Sequence, residues 1–309
     1  MDLRPPRLGL LLDVDGPIAS PVTRSVSAPG LLPTLTALLA EGVPVVFNTG
    51  RSEGFLRAQV VDPLLVAGLP PRARVHAVCE KGAVHASIGP DGLGEVVVDE
   101  SVRLPPTVVA DLEGLARDRF ADLMFVDPGK HAMVSIEQHL HLDSAEYLRR
   151  QPEYERAAAE VLRDAGLGFT WRGAAHPDEA GATDWRIDPT IISVDVESAV
   201  LGKDRGAAVA LDLLAGDGPL PEEWRTAGDS RTDYAMADWL HAQGRRVTHV
   251  DVRPADGVLE RPFRVLTPGR TVNDVAGAAW LRSVLAVVRG EVDDDAGFDA
   301  GFDAGSDLG

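Results

Sequence analysis

The first apolar segment of the chain ends in two aspartates that lie one residue apart. Residues 8–12 are leucines and one glycine, and Asp13, Asp15 and Gly16 follow them directly. A strand that is apolar at every position is buried on both faces, which is typical of a parallel sheet covered by helices. Because side chains alternate along a strand, both carboxylates point to the same side as the strand ends. The segment therefore predicts an α/β fold that carries a carboxylate pair on its first strand.

The carboxylate pair also predicts a metal site. Two like charges held this close are costly unless a cation or a shared proton relieves them. Carboxylate oxygens suit a hard cation, and either aspartate is then available as a nucleophile or an acid/base. The twelve-residue calcium loop does not fit, because its sixth position here is Ile18 rather than glycine and its twelfth is Arg24 rather than glutamate.

Composition limits the partners and the compartment. The chain has 309 residues and a formal net charge of -18, a charge that repels nucleic acid backbones and anionic membranes. No apolar run approaches the ~20 residues that span a bilayer, and residues 1–6 do not form a signal-peptide core. The single cysteine, Cys79, cannot form an internal disulfide. We expect a cytoplasmic protein that binds neither nucleic acid nor membrane; its oligomeric state is left open.

Strand and helix patterns alternate over most of the chain, which predicts α/β architecture. The predicted strands are 8–12, 43–48, 75–79, 225–227 and 246–252. The predicted helices are 31–39, 204–214, 233–241 and 272–288, the last beginning with a capping box of Thr271 and Asp274. The fold class is thus a Rossmann-like, doubly wound parallel sheet.

The region between residues 83 and 194 has a different pattern. Hairpin-like strands and two long helical segments predict a separate α+β module inserted into the α/β domain. We therefore expect a discontinuous core of residues 1–82 and 195–290, an inserted domain of 83–194, and a tail of 291–309. The tail has seven acidic residues, no basic residue and a short Gly/Asp repeat, so it is predicted to be disordered.

Further polar residues stand where other predicted strands end. Thr49, Gly50 and Arg51 follow the second strand, and a hydroxyl beside a glycine amide suits phosphate oxygens. Lys203 precedes a helix, and Asp229 and Asp233 follow the strand at 225–227. In parallel α/β sheets ligands bind beyond the carboxyl ends of the strands. Together these residues predict one site that holds a metal and a phosphate.

In this order the motifs resemble those of the haloacid dehalogenase superfamily, whose members use an aspartate nucleophile. Asp13-Val14-Asp15-Gly16 is similar to the first motif, Thr49-Gly50-Arg51 to the second, Lys203 to the third, and Gly228-Asp229 with Asp233 to the fourth. The position and length of the insertion resemble the large α+β cap of subclass IIB, which includes sugar-phosphate phosphatases.

The resemblance implies a role for each residue. Asp13 would be the nucleophile and Asp15 the acid/base. Mg²⁺ would be held by Asp13, the backbone carbonyl of Asp15 and Asp229, with Asp233 orienting that shell. Phosphate would be bound by Thr49, Gly50 and Lys203, the lysine also serving catalysis by neutralising charge.

The resemblance also implies a reaction, the Mg²⁺-dependent hydrolysis of a small phosphorylated metabolite through an aspartyl-phosphate intermediate. By analogy with the subclass, the expected substrate is a sugar or polyol phosphate. Asp15 favours a phosphatase or a mutase, because members without this second aspartate tend to be dehalogenases or ion pumps.

Three other functions remain open at the level of sequence. A phosphohexomutase would use the same aspartyl-phosphate and return the phosphoryl group. A metal-dependent glycosyltransferase also uses D-x-D, but it predicts no role for Lys203 or Asp229. A non-catalytic protein of the same fold would not need the full set of aspartates. Arg51 and Lys81 are candidates for substrate contact, and Lys81 stands where the family often has asparagine.

Overall fold

The structure is a computed structural model that describes residues 5–292. The predicted disordered tail lies outside the described residues, apart from its first two positions. The strands are β1 (Leu8–Leu12), β2 (Val45–Asn48), β3 (Val75–Cys79), β4 (Val84–Gly89), β5 (Gly92–Leu93), β6 (Val97–Val98), β7 (Met124–Val126), β8 (Val134–Gln138), β9 (Phe169–Trp171), β10 (Ala174–His176), β11 (Trp185–Pro189), β12 (Ser193–Ser198), β13 (Glu223–Gly228), β14 (Arg246–Asp251) and β15 (Arg264–Leu266).

Eight α-helices lie among the described residues. They are α1 (Leu31–Ala40), α2 (Glu53–Leu56), α3 (Asp62–Val66), α4 (Pro106–Arg119), α5 (Ser144–Asp164), α6 (Lys203–Asp217), α7 (Tyr234–Ala242) and α8 (Asn273–Val288). A π-helical turn, Arg57–Val61, joins α2 to α3. Within residues 5–292, no helix has both the length and the apolarity that crossing a membrane requires.

One sheet is built around β1. Its strand order is β15-β14-β13-β1-β2-β3-β4-β5, and the strands from β15 to β3 run parallel. The chain moves from β1 to β2 and β3 on one side and later returns to β13 on the other side. The order therefore reverses between β1 and β13, which is the position where doubly wound sheets bind ligands. The predicted doubly wound α/β fold is confirmed.

Burial explains the continuous apolar run of β1. All five of its residues are buried, and Leu10, Leu11 and Leu12 have no exposed surface. Leu11 packs into an apolar cluster with residues of α6 and α7. Because the strand is covered on both faces, its sequence has no polar position until Asp13.

The chain divides into two compact units. The first runs to Val97 and resumes at Gly202, and the second is Val98–Leu201. The sequence predicts that the insertion begins at residue 83, whereas the first unit continues to Val97. The reason is that β4 pairs antiparallel with β3 and so extends the first sheet. The division predicted at residue 194 also differs, since β12 continues to Ser198 in the second unit.

The second unit is a six-stranded sheet of order β10-β9-β11-β12-β8-β7. All its neighbouring strands are antiparallel except β9 and β11. Residues of α4 and α5, among them Leu112 and Tyr154, share an apolar cluster with strand residues such as Ile136 and Val196. The unit thus has the α+β character that the sequence predicts for the insertion.

The predicted capping box of the last helix is wrong. Helix α8 has Val272 at its N-cap, and no side chain caps it. Asp274 is buried instead, and its carboxylate accepts a hydrogen bond from the Ser27 hydroxyl at 3.3 Å. A tertiary partner for Asp274 has replaced the local one.

Candidate active site

The predicted site residues converge at one edge of the first sheet. Asp13 directly follows β1, Thr49 follows β2, and Asp229 follows β13. These three strands are neighbours and parallel, so their carboxyl ends lie side by side. The site therefore sits at the point where the strand order reverses, and all its residues belong to the first unit.

Lys203 joins two of the aspartates. Its Nζ lies 2.6 Å from Asp13 Oδ1 and 2.8 Å from Asp233 Oδ1, and the lysine side chain is only 10% exposed. The lysine opens α6 and is held there by Asn48. The side-chain amide of Asn48 donates to the backbone carbonyl of Lys203 at 2.9 Å, and the Lys203 Nζ donates to the backbone carbonyl of Asn48 at 2.8 Å. The end of β2 thereby fixes the position of the ammonium group.

The charge state of the lysine follows from its partners. Although burial opposes it, the carboxylates of Asp13 and Asp233 raise the pKa of Lys203 above its ordinary value. The ammonium group stays protonated at neutral pH. Despite burial, the same lysine and the Ser230 hydroxyl hold the pKa of Asp233 below its usual range. This pair is a fixed, charged element of the site.

Asp233 organises the loop after β13. Its Oδ2 accepts hydrogen bonds from the Asp229 and Ser230 backbone amides at 3.1 and 3.0 Å, and from Ser230 Oγ at 2.7 Å. Both carboxylate oxygens therefore have partners, since Oδ1 lies beside Lys203. Asp233 is placed to hold the loop that carries Asp229.

Asp229 lies against the glycine of the first motif. A Cβ atom at Gly16, whose φ is +91°, would lie 2.4 Å from Asp229 Cβ, so only glycine fits there. On its other side, Arg253 Nε donates to the Asp229 carbonyl at 3.1 Å and lies 3.5 Å from its Oδ2. The D-x-D-G motif and the loop after β13 are thus in direct contact.

The donor set fits a divalent cation. Asp13, Asp229 and Asp233 each offer a carboxylate oxygen, and these oxygens lie within 4.8 Å of one another. Burial, followed by the charge of Asp233, raises the pKa of Asp13 well above its usual value. The same two causes raise the pKa of Asp229 to about 6. A hard cation with oxygen ligands would relieve this crowding of like charges.

Asp15 has a different partner from the other aspartates. Arg51 Nε donates to Asp15 Oδ2 at 2.9 Å, and Nη2 donates to Oδ1 at 3.1 Å. The Asp15 side chain is 29% exposed, whereas that of Asp13 is 8% exposed. The two aspartates of the motif therefore occupy distinct environments, one beside a lysine and one beside an arginine.

Thr49 and Gly50 lie in the turn between β2 and Arg51. Thr49 is fully buried, and its Oγ1 accepts a hydrogen bond from the Arg51 amide at 3.1 Å. Its backbone is bound to Val78 and Lys81. The backbone of the turn is therefore fixed beside Asp13 and Asp15.

Lys81 contacts the turn after β2 through its backbone. It has a left-handed conformation with φ of +57°, and Glu80 before it has φ of +47°. Its amide donates to the Thr49 carbonyl at 3.0 Å, and its carbonyl accepts from Gly202 at 3.0 Å. A Cβ atom at Gly50 would lie 3.6 Å from Lys81 Cε. The lysine stem therefore passes over the glycine of the second motif.

Two further residues contact the candidate site, Asn48 through Lys203 and Arg253 through Asp229, and the sequence patterns described above do not single them out. Asn48 is a buried polar residue at the last position of an apolar strand, a signal that could have identified it. Arg253 lies two residues after the end of β14, the strand next to β13. Its position at a further strand end was the available signal.

No protein-family model matches the sequence, and no curated protein matches it. Solved structures do match. A trehalose-6-phosphate phosphatase related protein is 16% identical at a TM-score of 0.55, over 92% of this chain and 100% of that chain. The C-terminal domain of C. albicans trehalose-6-phosphate phosphatase is 14% identical at a TM-score of 0.55, over 93% of this chain and 94% of that chain.

A third solved structure carries the name of the family. A haloacid dehalogenase-like hydrolase from Bacteroides thetaiotaomicron is 14% identical at a TM-score of 0.56, over 93% of this chain and 100% of that chain. These likenesses extend over nearly the whole chain and concern the fold. The chain therefore has the fold of the haloacid dehalogenase-like hydrolases, as the order of its motifs predicts.

Proposed function

We propose that the protein is a metal-dependent phosphatase of a small phosphate monoester, with Asp13 as the nucleophile. The arrangement of Lys203 beside Asp13 and Asp233, with Asp229 alongside, is the observation that carries the proposal. It combines a carboxylate nucleophile, a fixed cation and a set of hard oxygen donors. A solved phosphatase domain with the same fold lends support.

The reaction proceeds in two displacements. An Asp13 carboxylate oxygen forms a bond to phosphorus as the bond between phosphorus and the ester oxygen breaks. Asp15 donates a proton to the departing oxygen. A water molecule then attacks the aspartyl-phosphate while Asp15 accepts its proton, so that inorganic phosphate leaves and both aspartates are restored. Acid–base assistance of this kind contributes about 10²–10⁴-fold.

The surrounding residues bind the phosphoryl group. Lys203 offsets negative charge between Asp13 and the phosphoryl oxygens, and the Thr49 hydroxyl and Gly50 amide donate to those oxygens. Positioning and electrostatic stabilisation carry most of the rate in phosphoryl transfer. Lys203 suits this role because Asn48 fixes it from the neighbouring strand.

Mg²⁺ is the proposed cofactor. Asp13, the Asp15 backbone carbonyl and Asp229 would hold it, and Asp233 would orient Asp229 through the loop that it binds. When bound, the ion supplies positive charge to the phosphoryl oxygens. Asp233 fits the supporting role because its Oδ2 binds the loop that carries Asp229 and its Oδ1 forms an ion pair with Lys203.

We propose sugar or polyol phosphates as the substrate class. The matched domain of C. albicans trehalose-6-phosphate phosphatase and the motif resemblance support this class. We further propose that residues of the inserted second unit, Val98–Leu201, select the substrate. We also propose a cytoplasmic location, which the single cysteine of the chain, Cys79, supports because it cannot form an internal disulfide.

Phosphate release from a panel of sugar, polyol and nucleotide monophosphates with Mg²⁺ tests the proposal. We expect turnover of a sugar or polyol phosphate, its loss with EDTA, and a fall of at least about 10³-fold in Asp13→Asn. Asp212→Asn, an exposed aspartate on α6, is the matched control. Absence of release by the wild type, or full activity of Asp13→Asn, would contradict it. Isomerisation of a hexose 1-phosphate that outruns release would favour a mutase instead.

A further inference from the structure

The guanidinium of Arg51 donates a hydrogen bond to each carboxylate oxygen of Asp15. The two hydrogen bonds, 2.9 Å from Nε and 3.1 Å from Nη2, form a bidentate pair between a guanidinium and a carboxylate. The two side chains are partly buried, with 14% of Arg51 and 29% of Asp15 exposed. Bidentate pairs add directional constraint to their attraction, so the Asp15 carboxylate is fixed in one rotational state.

The guanidinium is itself held in place. The Arg51 amide donates to Thr49 Oγ1 at 3.1 Å, and its carbonyl accepts from Glu80 at 3.1 Å. Its central carbon lies 4.8 Å from the centre of the Phe55 ring. The Ser52 hydroxyl caps α2 by accepting a hydrogen bond from the Phe55 backbone amide at 3.3 Å. This bond holds the backbone that carries the Phe55 ring. The carboxylate and the ring therefore constrain Arg51 from two directions.

This arrangement leaves Asp15 able to transfer a proton. A carboxylate has about four lone-pair positions, and Arg51 uses one on each oxygen. A second lone pair on one of the oxygens can therefore carry the proton that Asp15 donates to the ester oxygen, and after that transfer it can accept a proton from the hydrolytic water. Arg51 keeps its own protons throughout, because its side chain is not deprotonated in proteins.

We propose that Arg51 is a positioning residue that orients the Asp15 carboxylate for proton transfer to the leaving group. The inference rests on the proposed function, in which Asp15 is the acid/base. The proton passes from the Asp15 carboxyl to the ester oxygen as its bond to phosphorus breaks. The contribution of Arg51 is therefore largest for esters whose leaving group needs that proton.

Two esters with different leaving groups test this inference. p-Nitrophenyl phosphate releases a stable phenolate, whereas a sugar phosphate releases an alkoxide that needs a proton. We expect Arg51→Gln to slow the first chemical step, measured by rapid mixing, by about 10²-fold for the sugar phosphate and by less than about threefold for the aryl ester. Arg51→Lys should fall between wild type and Arg51→Gln, because a lysine lacks the planar fork.

A double-mutant cycle separates action through Asp15 from direct phosphate binding. In an Asp15→Asn background, we expect Arg51→Gln to add less than about twofold to the loss. Equal losses on both esters, or a loss that persists in full without Asp15, would overturn the inference. Arg57→Gln, at an exposed arginine of the next turn, is the control and should match wild type on both esters.

Phe55→Leu provides a second variant that leaves every charge in place. We expect it to lower the sugar-phosphate rate in the same selective way, by a smaller factor than Arg51→Gln. A thermal unfolding midpoint close to that of wild type would exclude loss of fold as the cause. A wild type that hydrolyses no ester overturns the proposed function and this inference together, whereas wild-type turnover with unselective losses overturns the inference alone.

Discussion

At the scale of single residues, Gly16 leaves the space that Asp229 occupies. A Cβ atom at this position would lie 2.4 Å from Asp229 Cβ. We expect Gly16→Ala to displace the Asp229 carboxylate, to lower kcat by about tenfold or more, and to raise the Mg²⁺ concentration that gives half-maximal activity. Steady-state assays over a Mg²⁺ series measure both effects.

Gly42 provides the matched control for this substitution. It also has a positive φ, +83°, but no atom lies within 4 Å of the position of its Cβ. Gly42→Ala therefore introduces the same backbone strain without moving Asp229, and it should cost about 1 kcal/mol of stability at unchanged activity. Equal activity in Gly16→Ala and Gly42→Ala would refute the proposed contact effect.

Lys203 neutralises two buried carboxylates, so its removal should cost stability as well as activity. We expect Lys203→Met to lower the free energy of unfolding by about 3–5 kcal/mol, because Asp13 and Asp233 would be left without their cation. Combining it with Asp13→Asn removes one of those charges and should recover part of the loss. Urea unfolding of the two single variants and the double variant measures the coupling, and strict additivity would contradict it.

At the scale of elements, Arg74 ties the end of α6 to the sheet. Its Nη2 donates to the Leu214 carbonyl at 2.6 Å and its Nη1 to the Pro219 carbonyl at 3.0 Å. Carbonyls at a helix end have no partner within the helix. We expect Arg74→Ala to lower the free energy of unfolding by about 1–2 kcal/mol in urea unfolding. Arg72→Ala, at an exposed arginine two residues earlier, should have no such effect; similar losses in both would show that the carbonyl bonds contribute little.

The elements also show where sequence patterns suffice. The strands at 8–12 and 75–79 and the helix at 31–39 follow from apolar runs and helical periodicity. The hairpin partner β4 was missed, and it pairs with β3 through backbone hydrogen bonds that leave little trace in composition. The capping box predicted for α8 does not form, because the Asp274 carboxylate accepts a hydrogen bond from the Ser27 hydroxyl instead.

At the scale of the whole molecule, a buried histidine makes stability depend on pH. Burial lowers the pKa of His249 to about 4, whereas its ordinary value is about 6.5. Between these values the unfolded chain binds a proton at His249 that the folded protein does not. The contribution of His249 to the free energy of unfolding is therefore fully present above pH 6.5. It is lost as the pH falls to about 4, and the loss is on the order of 3 kcal/mol.

His249→Gln isolates this contribution, because other groups such as Asp229 titrate in the same range with the opposite sign. We expect the unfolding free energy of wild type minus that of the variant to decrease by about 3 kcal/mol from pH 7 to pH 4. Urea unfolding at several pH values measures it. The exposed His241→Gln should show no such trend, and a pH-independent difference for His249→Gln would refute the assignment.

The sequence by itself determined the class of fold, the order of the motifs and the chemical types of the site residues. It could do so because a buried parallel strand requires an unbroken apolar run, and its first polar residues then fall at the ligand-binding edge. Only the tertiary structure decided that Arg51 holds Asp15, that Gly16 makes room for Asp229, and that Asn48 holds Lys203. These contacts join residues whose loops take their conformation from packing between distant segments, and no local pattern encodes that packing.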